Sequence, residues 1–278
     1  MRREAGATRS AGDVEEAVRA VPFWWHSIDL GGGVVTPGYH SLQTMDALLA
    51  EAHLPDLAGK SVLDIGAWDG FYSFEALRRG GARRVVALDH YVWSLDLDAQ
   101  QRYWRQCQDE GVVPEPYHQV PGLWQPHKLP GKQGFDAANQ ALGGHVESVV
   151  GDFMTVDLDS LGQFDVVLFL GVLYHLENPF EALKRLAQLT SETAIISTQA
   201  IEVPGFERHA LCEFFESSEL GADVSNWWAP NKRALMGMCR AAGFETAEIV
   251  SAVPEYANDT DAVRRERIVA HGHAHTPA

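Results

Sequence analysis

The stretch Ser61-Val-Leu-Asp-Ile-Gly-Ala-Trp-Asp-Gly70 decides the fold class of this chain. An apolar run enters a turn that carries Gly66 and Gly70, and a helix-like segment follows the turn. A second apolar run then ends in Asp89. A strand, a glycine turn, a helix and a strand that ends in a carboxylate form the unit with which a doubly wound α/β sheet builds a nucleotide pocket at the carboxyl ends of its strands.

The rest of the chain continues the alternation of strands and helices. The run Val166-Val-Leu-Phe-Leu170 is apolar throughout, which is typical of parallel strands buried on both faces. We therefore predict an α/β fold with a seven-stranded, doubly wound (Rossmann-like) sheet that ends in an antiparallel pair. The predicted strands are 61–65, 84–88, 146–150, 164–170, 193–198, 245–251 and 265–271.

Segments that break the alternation define the predicted domain organisation. The stretch between the second and third strands is longer than a single helix requires, and loops of that length are usually functional or separately folded. We interpret it as an elongated helix near 95–110 plus an insert at the substrate pocket; a surface elaboration is the alternative. The predicted units are a disordered leader and a short helix (1–20), an N-terminal lid that could form a hairpin (21–54), a nucleotide-binding domain (55–272) with inserts at 91–145 and 201–230, and a tail (273–278).

Composition limits the classes of function. The chain has 278 residues, 46% of them apolar, and a formal net charge of −16, which disfavours a phosphate backbone as partner without excluding a nucleic acid. No apolar run approaches the roughly 20 residues of a membrane helix, and the polar N-terminus lacks a signal core. The three cysteines form no CxxC pair, so we expect free thiols in a reducing, cytoplasmic setting and no zinc site. A homodimer stays open.

The glycine turn has the form expected for S-adenosylmethionine rather than for a dinucleotide. Asp64 can accept from the methionine ammonium group, and Gly66 lets the backbone approach the cofactor. Asp89 can accept from the ribose diol. The full set of candidate cofactor residues is Asp64, Gly66, Ala67, Gly70, Asp89, His90, Asp152, Phe153 and Leu170.

Asp152 and Phe153 follow the third predicted strand. There the aspartate can accept from the adenine amino group while the phenyl ring packs on the base. The alternative interpretation is a turn followed by a core phenylalanine. We favour the adenine role because the order of elements places this pair beside Gly66 and Asp89.

Three side chains are candidates for the chemistry. Tyr174 and His175 follow the fourth strand, at the edge where a methyl acceptor would lie, and histidine can deprotonate a hydroxyl near neutral pH. His26, in the aromatic N-terminal segment, is a second candidate, with a role in fastening the lid as the alternative. The histidines at 271, 273 and 275 are interpreted as a disordered end without a role, and no spacing singles out a metal site.

Together these residues resemble the class I S-adenosylmethionine-dependent methyltransferases over residues 55–272. Three motifs resemble the bacterial tRNA wobble-uridine carboxymethyltransferase-like group: VLDIGAWDGFYSF (62–74), FDVVLFLGVLYHLENPFEAL (164–183) and WHSIDLGGGVVTPG (25–38). GVLYH (171–175) is the most specific element. The resemblance implies the seven-stranded sheet, the cofactor contacts given above and Tyr174 near the transferred group.

The chain also departs from that group. The tRNA enzymes hold a carboxylated cofactor with cationic side chains of the N-terminal segment, whereas no Lys or Arg occurs here between Arg19 and Lys60. An unpaired buried carboxylate is unfavourable, so we expect ordinary S-adenosylmethionine. Trp68 replaces the usual middle glycine, and about 20 residues precede the aromatic segment, so no helical tRNA-binding leader is expected.

These observations predict O-methylation of a small hydroxylated acceptor, such as a sugar or a specialised metabolite, with His175 or His26 as base. N-methylation stays open, as does metal assistance. The alternatives are a tRNA wobble-uridine modifying (carboxy)methyltransferase and a nucleotide-binding relative without enzymatic activity. The sequence does not name the acceptor.

Overall fold

The computed structural model describes residues 10–255 and 263–275. Most of the expected disordered leader (1–9) and the end of the expected tail (276–278) lie outside the described residues. Among the described residues, no helix combines the length and the apolarity that crossing a bilayer requires.

A seven-stranded sheet in the order β3-β2-β1-β4-β5-β9-β8 forms the centre of the molecule, and it confirms the predicted doubly wound fold. The first five strands are parallel to one another, whereas β9 pairs antiparallel with both β5 and β8. The strands are β1 (Ser61–Ile65), β2 (Arg84–Asp89), β3 (Glu147–Val150), β4 (Phe164–Leu170), β5 (Thr190–Glu202), β6 (Cys212–Phe214), β7 (Trp228–Pro230), β8 (Thr246–Pro254) and β9 (Arg264–His273).

Helices cover both faces of the sheet, as the apolar run Val166–Leu170 of strand β4 requires. Phe71, Phe74 and Phe135 fill the core on one face, and Leu183 and Leu235 belong to the core on the other. The helices are α1 (Ala11–Ala20), α2 (Leu42–Glu51), α3 (Phe71–Arg78), α4 (Tyr91–Ser94), α5 (Leu97–Glu110), α6 (Gln133–Ala141), α7 (Leu158–Leu161), α8 (Pro179–Leu189) and α9 (Lys232–Ala242).

Several element boundaries differ from the sequence predictions. Helix α1 begins at Ala11, within the region 1–20 that is expected to hold a leader and a short helix, because Ser10 caps it and Asp13 bonds back to Ser10 in a capping box. Strand β5 extends beyond the predicted 193–198, since its second half pairs with β9 alone. Strand β9 continues to His273, so His271 and His273 lie in the sheet rather than in a disordered tail.

The lid contains the hairpin-like turn that the sequence left open. Leu30 donates its N–H to the carbonyl of Val34 at 2.9 Å, and Thr36 donates to Ile28 at 3.0 Å. The first insert contains the expected long helix, α5, followed by α6. In the second insert β6 and β7 pair antiparallel, apart from the main sheet.

Candidate active site

The carboxyl edge of the parallel strands gathers the predicted cofactor residues of the glycine turn. Asp64 is the penultimate residue of β1, Asp89 ends β2 and Leu170 ends β4. Gly66 donates its N–H to the carbonyl of Leu88 at 2.8 Å, which joins the turn to the end of β2. One edge of the sheet therefore carries two buried carboxylates and the glycine turn.

Gly66 fits so closely that no larger residue is accommodated. Its φ is +76°, a conformation that favours glycine, and a Cβ there would lie 2.5 Å from Cγ2 of Val172. Gly70, with a φ of +91°, is the N-cap of α3 and would carry its Cβ 2.7 Å from the ring of Phe74. Close packing of the turn against the exit of β4 and against α3 therefore requires both glycines.

The two carboxylates at this edge are buried, and burial disfavours their ionised form. Burial raises the pKa of Asp64 to about 6, although Ser73 Oγ donates to Asp64 Oδ2 at 2.7 Å. Burial likewise raises the pKa of Asp89 to about 6, opposed by backbone N–H groups that include Trp68 (3.0 Å) and Val92 (3.2 Å). Both groups are therefore ionised at neutral pH and protonated in mild acid.

Trp68, which replaces the usual middle glycine, joins the turn to the lid. It has a φ of +51°, and its ring stacks on Trp25 with centroids 4.7 Å apart. Trp25 stacks in turn on Tyr39 at 5.1 Å. Trp93 Nε1 donates to the carbonyl of Trp68 at 2.6 Å. Trp68, the residue that departs from the usual glycine turn, therefore connects this turn to Trp25 in the lid and to Trp93 in the first insert.

Asp69, which the sequence interpretation did not single out, anchors the same lid. Its Oδ2 accepts from the backbone N–H groups of Trp25 and His26, each at 2.9 Å. Its Oδ1 is paired with Nδ1 of His26 in a buried contact. His26 therefore fastens the lid, and its ring centroid lies 6.4 Å from that of Trp68, beside the glycine turn.

Tyr174 and His175 lie in a single 3₁₀ turn directly after β4. The two rings are 4.2 Å apart, and a Cβ on Gly171 would lie 3.5 Å from the Tyr174 hydroxyl. The hydroxyl therefore stands over the end of β4. Burial raises the pKa of Tyr174 to about 12, so the phenol stays protonated at neutral pH.

His175 belongs to a hydrogen-bonded chain that the sequence did not reveal. Its Nδ1 lies 2.9 Å from Ser225 Oγ and 3.2 Å from the carbonyl oxygen of Ser225. Ser225 Oγ donates to Asp223 Oδ1 at 2.7 Å. Because a carbonyl oxygen only accepts, Nδ1 carries the proton and Nε2 keeps its lone pair. Burial lowers the pKa of His175, which keeps the ring neutral at pH 7.

Other predicted cofactor residues lie in turns beside this edge. Asp152 is exposed and caps its own turn, with Met154 N–H donating to its Oδ1 at 2.9 Å. Phe153 is buried with its ring 5.3 Å from Phe169. His90 is the N-cap of α4, and the buried Ala67 accepts from Gly70 N–H at 2.8 Å. Asp152 and Phe153 thus make the contacts of the turn-and-core alternative, while their adenine role stays a prediction.

Arg267 is another residue that sequence reasoning missed. It lies on β9, and its charge acts on the hydroxyls of Tyr72 and Tyr174. Nε and Nη2 of Arg267 both donate to Glu255 Oε1, at 3.1 and 2.8 Å. No Lys or Arg lies between Arg19 and Lys60, but the sheet itself brings a cation to the site, already paired with a carboxylate.

Comparison with solved structures places this fold among the methyltransferases. The N-terminal domain of EvdMO1, crystallised with SAH and D-fucose, matches with a TM-score of 0.57 and 19% identity over 98% of this chain and 100% of that chain. CrArsM, an arsenic(III) S-adenosylmethionine methyltransferase from Chlamydomonas reinhardtii, matches with a TM-score of 0.52 and 15% identity over 94% of this chain and 74% of that chain. At these identities the likeness concerns the fold alone.

Sequence comparison extends the likeness to named relatives. A tRNA U34 carboxymethyltransferase from Colwellia psychrerythraea is 28% identical over 206 residues, which is 73% of this chain and 50% of that protein. The enzyme of that name from Methylococcus capsulatus is 24% identical over 251 residues, 90% of this chain and 63% of that protein. The chain thus spans about half to two thirds of the length of these two relatives.

The family profile described as "Methyltransferase domain" matches residues 39–249, which is most of the chain. This range includes the glycine turn, Asp89 and the exit of β4. With the sheet order and the buried carboxylates described above, the match shows that this chain belongs to the class I S-adenosylmethionine-dependent methyltransferases.

Proposed function

We propose that the protein transfers a methyl group from S-adenosylmethionine to a hydroxyl group of a small acceptor, of which a sugar is the favoured class. The observation that carries this proposal is the Asp223–Ser225–His175 chain beside Tyr174 at the exit of β4. It leaves a neutral imidazole nitrogen available for the proton that a hydroxyl acceptor must lose.

The residues at the carboxyl edge fit the family's cofactor. Asp64, near the end of β1, can accept from the methionine ammonium group. Gly66, whose Cβ position is taken by Cγ2 of Val172, keeps the turn packed close against the exit of β4 at this edge. Trp68 Nε1 is buried and has no partner among the described residues, so it offers a donor to a bound molecule. Asp89 stands at the end of β2, where the family's ribose diol is held.

The reaction needs positioning and one proton transfer. S-adenosylmethionine supplies a methyl group on a cationic sulfur, which leaves as a neutral thioether while the acceptor oxygen forms the new bond. His175 Nε2 takes the hydroxyl proton, and Ser225 and Asp223 hold the ring in the tautomer that can accept it. Tyr174 lines the site, and the lid restricts the access of water.

The electrostatics support a neutral acceptor. The net charge of −16 repels polyanions, and Arg267, the cation whose charge acts on Tyr174, is already paired with Glu255. A second carboxylate brought to this pair would need its own cation. The crystallisation of the structural neighbour EvdMO1 with D-fucose makes a sugar the first acceptor to test.

Modification of the wobble uridine of tRNA is the second candidate function. The relatives named above support it, as does the GVLYH motif at 171–175. The acidic surface and the pairing of Arg267 favour the small acceptor over this candidate.

The two candidates are separated by one set of assays on the full chain. Purified protein is incubated with S-adenosylmethionine and D-fucose, other hexoses, nucleotide-linked sugars or phenols, and separately with unmodified tRNA and either S-adenosylmethionine or its carboxylated form. We expect S-adenosylhomocysteine release and a one-methyl mass gain with a member of the small-molecule panel. A modified nucleoside in tRNA alone would replace this proposal with the second candidate.

Cofactor binding should weaken in mild acid. With pKa values of about 6, Asp64 and Asp89 lose their charge as the pH falls below 6, and with it their attraction for the ammonium group and the ribose diol. We expect the Kd for S-adenosylhomocysteine to rise about tenfold or more between pH 7.5 and pH 5. Calorimetry checks this, with circular dichroism at pH 5 to verify folding. Asp64→Asn should bind more weakly at pH 7.5 and show a shallower pH dependence; a flat wild-type profile contradicts the prediction.

A further inference from the structure

A cluster of metal-ligand side chains lies at the opposite, amino edge of the sheet. Glu248 on β8 pairs with His271 on β9, and His273 follows two residues later. Directly paired residues and residues two apart share one face of a sheet. One ligand atom from each of the three side chains lies within 4.8 Å of the other two. The site is separate from the glycine turn, because His271 and His273 pair with the first half of β5.

Both imidazoles are already oriented by a second partner. His271 Nε2 lies 2.9 Å from the carbonyl oxygen of Ala52, so it donates there and leaves the lone pair on Nδ1. His273 Nδ1 lies 3.2 Å from Thr193 Oγ1, and its Nε2 faces Glu248 Oε1 at 3.4 Å. Imidazoles that bind metals usually use the other ring nitrogen in this way, to donate to a carbonyl or another oxygen.

The types of ligand and their exposure to solvent fit a transition-metal ion. Two imidazoles and one carboxylate are ligands that Zn²⁺ and its neighbours in the series accept, with a fourth position left for water. His271 is buried, His273 is half-buried and Glu248 is exposed, so an ion can enter from the solvent side. His53 also acts electrostatically on His271 and adds a third imidazole nearby.

We propose that Glu248, His271 and His273 bind one divalent transition-metal ion of the zinc class at the amino edge of the sheet. The ion would join β8 to β9 and, through the bond between His271 and Ala52, to the end of α2 in the lid. Because it lies away from the cofactor edge, its role is to stabilise the fold. The proposal does not depend on the acceptor or on methyl transfer.

The test uses the full chain, stripped of metal with a chelator and titrated with Zn²⁺ or Co²⁺. We expect one ion per chain by calorimetry, visible Co²⁺ absorption bands of a low-coordinate site, and a Tm rise of about 5–10 °C with Zn²⁺ at about 100 times its Kd. Glu248→Gln and His273→Ala should each weaken Zn²⁺ binding about 100-fold or more, and Thr193→Val about tenfold.

His127→Ala, which removes an exposed histidine far along the chain, is the matched control and should bind Zn²⁺ as the wild type does. Glu248→Gln changes an exposed side chain without altering its shape, so it keeps the test valid if His273→Ala fails to fold. No saturable binding to the wild type, or unchanged affinity in Glu248→Gln, would overturn the proposal.

Discussion

His175→Ala should lower kcat for the methyl acceptor about 10²- to 10⁴-fold, the usual contribution of a positioned general base. The affinity for S-adenosylhomocysteine should stay unchanged, because the Nδ1 contacts of His175 go to Ser225 and not to the carboxylates of the cofactor edge. Steady-state kinetics with the acceptor identified in the small-molecule panel, together with calorimetric Kd values, measure both quantities.

Ser225→Ala tests the hydrogen bonds that connect His175 to Ser225 and Asp223. The backbone carbonyl of Ser225 remains as an acceptor for Nδ1, so the ring keeps its tautomer but loses its link to Asp223. We therefore expect a smaller loss of kcat than in His175→Ala and a shift in the acid limb of the pH profile of kcat, because Asp223 no longer supports the imidazolium. A purely structural role for Ser225 would change stability and leave that limb in place.

His209→Ala is the matched control, since it removes an exposed histidine from the same insert. His26→Ala provides the comparison with the second candidate base. If His175→Ala keeps full turnover at saturating acceptor while His26→Ala loses it, the base is the imidazole that Asp69 holds, and the Asp223–Ser225–His175 chain is structural.

The cofactor edge could be predicted from sequence because it depends on local order. In a parallel sheet the carboxyl ends of neighbouring strands meet, so the positions of Asp64, Gly66 and Asp89 follow from the strands that carry them. Their separate roles at the cofactor stay predictions. The partners of His175 could not be found in this way, because Ser225 and Asp223 come from an insert without periodicity, about fifty residues along the chain.

Two further features depended on contacts that only the folded chain forms. Trp68 was visible in the sequence as a departure from the usual turn, but its stacking on Trp25 joins segments that no pattern connects. Arg267 could not be found from the N-terminal segment, because the antiparallel strand β9 brings this cation to the site from the other end of the chain. Contacts between distant parts of the chain, and not local propensity, produce both the Trp68–Trp25 stack and the position of Arg267.

Asp69→Ala should lower the free energy of unfolding by about 3–5 kcal/mol, since it leaves buried donors without an acceptor. The donors are the backbone N–H groups of Trp25 and His26 and the Nδ1 of His26. Urea denaturation measures the loss. Asp109→Ala, at an exposed position of α5, is the matched control and should stay within about 0.5 kcal/mol of the wild type.

The same variant should release the lid before the rest of the molecule unfolds. Because Asp69 and the Trp25–Trp68 stack fasten one short segment, amide hydrogen exchange should accelerate at Leu30 and Thr36, whose N–H groups bond within the lid, and much less in β4. Trp68 N–H also donates to Asp89, so a loosened stack should weaken S-adenosylhomocysteine binding as well. Uniform acceleration across lid and sheet would contradict a local anchor and make Asp69 a determinant of global stability alone.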